Sequence, residues 1–246
     1  MSAWRVEWLR LVRTPRLACL LLVFTFLGLA QPVFVRYGPQ IVERLGAGGG
    51  AGVQLPPPSV EQALTAYLGQ AGGLGMLVAV GITVAACAVD ASYSLAVYYR
   101  TRSSLVAQLV PRLVTAWAAA VAAFTLGLGA AAYETVVLID PIGPAALARC
   151  WAAGAAFLTL ACAGALLAAV LSRSVLAGFA CVAGTFMVVV PLLSALPTLR
   201  PWVPTPAPAG LLDALPWRPV LVAVALAVAL VAAALLAARD KPLPRH

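Results

Sequence analysis

Leu95, Tyr98, Tyr99 and Arg102 recur at i, i+3, i+4 and i+7. That spacing gathers an aliphatic chain, two phenol rings and a guanidinium on one face of a helix. Asp90 or Ser92 can cap its start. Such a face offers aromatic area and positive charge to whatever lies against it, which is the chemistry of gripping a surface and not of making or breaking bonds. The bland alternative for the same residues is an aromatic belt with positively charged flanks at a membrane boundary.

Groups that would carry catalysis are scarce. A membrane hydrolase, protease or transferase displays paired acids, a histidine cluster or an activated nucleophile inside its spans. Here the one histidine is His246, read as a solvated tail residue. The one lysine is Lys241, and no GxxxxGK[ST] precedes it, so nucleotide is not bound and hydrolysed in that way by this chain. Asp90, Glu134 and Asp140 stand at the ends of apolar stretches, whereas a proton or ion relay places acids near mid-membrane. Cys19, Cys87, Cys150, Cys162 and Cys181 are scattered, with no CxxC pair, and read as small buried thiols.

The elements that must position these residues are membrane spans. Hydrophobic residues make up 63% of the chain and charged ones 10%. Six intervals carry no charge: Leu17–Val35, Gln62–Val89, Leu113–Tyr133, Cys150–Ser172, Ser174–Leu199 and Pro219–Ala238. A hydrocarbon core of about 30 Å needs roughly 20 apolar residues as a helix. The intervals are too long for barrel strands and lack alternation, so the expected fold is an all-α integral membrane protein. Its six transmembrane helices cover about 17–36, 70–89, 107–131, 148–171, 175–196 and 219–238, in a single domain spanning 1–246.

Positive charge sets the expected orientation, because short cytoplasmic loops retain Lys and Arg. Only Arg36, Arg44, Arg149, Arg200 and Arg218 of the sixteen basic residues fall on the face opposite the termini, so both termini are expected in the cytoplasm. The net charge of +8 then belongs to membrane topology and not to a nucleic-acid surface. Residues of about 2–15 read as an interfacial helix, with Trp4, Trp8, Leu11 and Val12 on one face and Arg10 and Arg13 on the other. A basic juxtamembrane flank is the alternative, and Trp at headgroup depth fits both. The run Leu17–Val35 reads as a retained anchor and not a cleaved signal.

Connections follow from punctuation. Gly46–Gly52 and Pro56-Pro57-Pro58 mark an external loop, after which Val60, Leu64, Tyr67 and Leu68 are expected to lie on the outer surface. Ser172-Arg173-Ser174 makes a tight turn between the fourth and fifth spans. Pro197, Pro201, Pro204, Pro206, Pro208 and Pro216 exclude a long helix before the sixth, and that loop, edged by Trp202 and Trp217, is expected to be rigid. No internal repeat supports an inverted-repeat carrier.

This layout resembles the permease subunits of type-2 ATP-binding-cassette (ABC) exporters. The resemblance rests on the basic, Trp-bearing N-terminal helix, the six spans, the Ser-Arg-Ser turn, and the run from Asp90 to Leu105 after the second span. In that run Asp90 stands where the family has an acid, Ser94-Leu95 where it has Thr-Leu, and Arg100 to Ser103 where it has a basic segment. The resemblance implies a coupling helix at about 92–104 that docks a separate ATPase through Ser94, Leu95, Tyr98, Tyr99, Arg100 and Arg102. It also implies a second permease, identical or paralogous, with ATP and Mg bound by the ATPase and no cofactor on this chain. The expected function is export of a hydrophobic or amphiphilic substrate; the alternative is a membrane scaffold or assembly factor that anchors a soluble partner. Preference for Arg over Lys with abundant Ala points to a GC-rich bacterial source and its plasma membrane.

Overall fold

Serine hydroxyls and proline rings delimit the helices. In the computed structural model, which describes residues 3–44, 57–88, 104–172, 174–208 and 210–239, the Ser59 hydroxyl accepts from the Gln62 amide at 3.2 Å and opens one helix. Ser104 opens another by accepting from Ala107 at 3.3 Å, and Ser174 a third by accepting from Ala177 at 3.4 Å. Each satisfies an amide that the first helical turn leaves without a partner. The regular structure of the described residues is all helix, without strands.

In chain order the helices are α1 (Ala3–Arg13), α2 (Pro15–Arg44), α3 (Val60–Cys87), α4 (Leu105–Leu138), α5 (Pro144–Ser172), α6 (Val175–Ala195) and α7 (Trp217–Arg239). Six of them, α2 to α7, are long and apolar enough to cross a membrane. Two contain a single π-helical turn, at Ala71–Gly75 in α3 and at Thr185–Val189 in α6.

Several helices run past the spans expected from charge alone. With 34 residues, α4 is about 51 Å long at about 1.5 Å per residue, and it carries Glu134 within the helix instead of at its end. At the other end it takes in Pro111 and Arg112. Val60 to Leu68 do not lie apart on a surface: they form the first turns of α3, where Leu64, Tyr67 and Leu68 are buried against α2 and α4.

The core sits around α5. Most of its apolar window is buried, whereas α6 and α7 bury little of theirs. α5 packs most extensively on α7, and α2 on α4. At the second contact the backbones meet, because a Cβ on Gly28 would run into the Gly127 carbonyl and one on Gly127 into the Phe24 carbonyl. Small residues allow this approach, and dispersion between the surfaces then drives association where lipid removes the hydrophobic contribution. Phe24, Phe124 and Tyr67 fill the space beside it. Phe24 meets Phe124 edge-on with centroids 6.2 Å apart, and Tyr67 stacks on Phe124 at 5.9 Å. Leu22, Phe26, Leu221 and Val228 point outwards, as side chains do when the surrounding solvent is hydrocarbon.

Candidate functional site

Glu7 and Leu11, four residues apart, form the face of α1 that packs on the bundle. The sequence reading grouped Leu11 with Trp4, Trp8 and Val12, but only Leu11 is buried; the other three remain exposed. Arg10 and Arg13 are exposed as well.

Glu7 is the residue that the sequence reading missed. Its carboxylate accepts from Arg112 Nε at 3.0 Å, and both side chains are nearly buried. Arg112 also donates from Nη1 to the Ala86 carbonyl at 3.3 Å, on the last turn of α3. One guanidinium therefore joins α1, the end of α3 and the start of α4. Arg10 Nη1 approaches the same carboxylate at 4.0 Å, and Arg16 lines the small cleft around it. A lone arginine at this depth would be costly; paired and hydrogen-bonded, it becomes a fixed strut.

The strut stands where the chain leaves α3 at Ala88 and returns at Ser104. The residues expected to contact a partner there, Ser94, Leu95, Tyr98, Tyr99, Arg100 and Arg102, lie outside the described residues, as does Asp90.

A second feature opens sideways. α4, α5 and α7 enclose a groove of about 400 Å³ whose lining, from Leu113 and Trp117 to Val228 and Leu235, is almost entirely apolar. Trp117 Nε1 donates to Thr159 Oγ1 at 3.0 Å at its wall, and Trp151 Nε1 donates to Thr125 Oγ1 at 2.9 Å further along. The two bonds are reciprocal, one indole from each helix, and lie the same number of residues apart on both. They set the antiparallel register of α4 against α5, satisfying groups that hydrocarbon leaves without water.

The loop between α6 and α7 is held from behind. Arg149 on α5 donates to the carbonyls of Leu212 and Asp213, Leu211 is buried, and Pro206 rests where Gly72 has no side chain.

Of the cysteines, Cys87, Cys150 and Cys162 are buried as expected, while Cys19 and Cys181 are exposed. Thr83 donates to the Ala79 carbonyl at 2.8 Å and contacts Cys162 Sγ at 3.7 Å. No group of three or more His, Cys, Asp or Glu able to hold a metal ion occurs among the described residues. Compared with family models, curated proteins and solved structures, the chain matches none.

Proposed function

We propose that this chain is the membrane-spanning subunit of an ATP-driven exporter with type-2 ABC architecture, working with a separate ATPase subunit and a second permease. The observation that carries the reading is the Arg112 strut, which ties α1 and α3 to α4 at both ends of the connection holding Leu95, Tyr98, Tyr99 and Arg102. A push on that connection, received in the cytoplasm from an ATPase closing on ATP and Mg, is thereby passed to three helices at once. Tyr98 and Tyr99 would bury ring area in the ATPase while Arg100 and Arg102 pair with its acids. The apolar groove beside Trp117 supports a hydrophobic or amphiphilic substrate arriving from the bilayer.

Affinity purification of the tagged chain from its native membrane in mild detergent, followed by mass spectrometry, tests this. A stoichiometric P-loop ATPase is expected, and Tyr98→Ala with Arg102→Ala should release it while leaving the chain folded. A chain recovered repeatedly without any nucleotide-binding partner would overturn the reading in favour of a membrane scaffold.

A further inference from the structure

Where α6 ends and α7 begins, residues 194–208 and 216–219 line a basin of about 640 Å³. Five prolines, Pro197, Pro201, Pro208, Pro216 and Pro219, stand in its walls and restrict the backbone there. Arg200 and Arg218 are the charged residues of the lining, and no carboxylate accompanies them. Among the described residues neither takes part in an ion pair. The Arg218 guanidinium is held between two indoles, 5.3 Å from the ring centroids of Trp202 and Trp217, a cation–π arrangement that fixes its direction.

Two arginines facing one basin with no counter-charge are complementary to an anion, and the planar guanidinium fork suits phosphate oxygens in particular. The basin is built in advance. Arg149 clamps the carbonyls of the 212–213 turn, and Pro206 is seated over Gly72. Little ordering remains to oppose binding.

Depth identifies the rest of the ligand. The basin opens at the level where both apolar helices stop, and the exposed Trp217 in its lining and Trp202 beside Arg218 are residues that favour headgroup depth. About a turn deeper, Leu192 and Leu221 are 64% and 58% exposed and present apolar surface to the hydrocarbon. We propose that the basin binds the phosphate of an anionic amphiphile, with the headgroup on Arg200 and Arg218 and its chains along Leu192 and Leu221. The inference holds whether or not the chain works with an ATPase.

Native mass spectrometry of the full chain in mild detergent, titrated with phosphatidylglycerol, with phosphatidylcholine of the same chains and with inorganic phosphate, tests it. One phosphatidylglycerol should be retained about tenfold over phosphatidylcholine, the equivalent of one charge-assisted contact pair. Arg200→Gln with Arg218→Gln should abolish the preference, Arg200→Lys with Arg218→Lys should keep part of it, and Arg36→Gln on α2 should leave it intact. Inorganic phosphate that displaces the lipid would identify the phosphate alone as sufficient; lipid retained in its presence would identify the headgroup together with its chains. Equal retention of the two lipids, a preference that survives the double glutamine variant, or an equal loss in Arg36→Gln would overturn the proposal.

Discussion

Arg112 Nε lies 3.0 Å from Glu7 Oε1, joining residues 105 positions apart across the junction of α1 and α4. The pair matters because neither charge is left to water, and because the same guanidinium reaches the last turn of α3 through the Ala86 carbonyl. Removing either partner takes away the ion pair that offsets the burial of the other.

Glu7→Ala and Arg112→Ala should each destabilise the protein by up to about 3–5 kcal/mol, the range for breaking a buried ion pair, with Arg10 beside Glu7 moderating the cost of losing Arg112. Combined, they should cost clearly less than the sum of the two. Thermal unfolding in detergent micelles measures all three variants. Arg112→Ala also removes the donor to the Ala86 carbonyl and should therefore loosen the last turn of α3, which Glu7→Ala should not.

Gly127→Ala should lower the melting temperature markedly, because the added methyl meets the Phe24 carbonyl and the Tyr67 hydroxyl at the α2–α4 crossing. Gly129→Ala, two residues along the same helix, faces open space and should be neutral or slightly stabilising. The contrast between the two is the measurement.

Tyr67→Phe removes only the hydroxyl that donates to the Phe124 carbonyl at 3.0 Å and should cost about 0.5–1.5 kcal/mol. Tyr67→Ala also empties the ring's place against Phe124 and should cost about 3–5 kcal/mol. Unfolding by denaturant in mixed micelles separates these values.

The reciprocal indole bonds between α4 and α5 should each be worth about 0.6–2 kcal/mol, the range found for side-chain hydrogen bonds between membrane helices. A double-mutant cycle on Trp151→Phe and Thr125→Val reads the coupling for one of them. A value near zero would mean that packing alone sets the register.

Arg149→Met should free the 210–213 turn, whose carbonyls lose their donors. Limited proteolysis should then cut between residues 197 and 216 faster than in the unaltered chain, at little cost to the helices. Arg149→Lys should give an intermediate rate, since an ammonium group cannot span both carbonyls in the same planar fork.

The six long helices were legible in the chain because a span needs only length and apolar composition, and both are local properties. The serine at 174 and the prolines after 196 likewise act where they stand, capping one helix and ending another. Tertiary structure alone decided which polar residues meet. Arg112 reads as one more positive flank until α1 folds back and places Glu7 against it, and no periodicity within either segment encodes that encounter. The seating of Leu64, Tyr67 and Leu68 inside the bundle, the matched Trp–Thr pairs and the hold of Arg149 on a distant loop are of the same kind. Hydropathy reports how each residue partitions between water and lipid. Contacts between helices depend on rotation and register about each axis, and those are set by close packing at points such as Gly28 on Gly127.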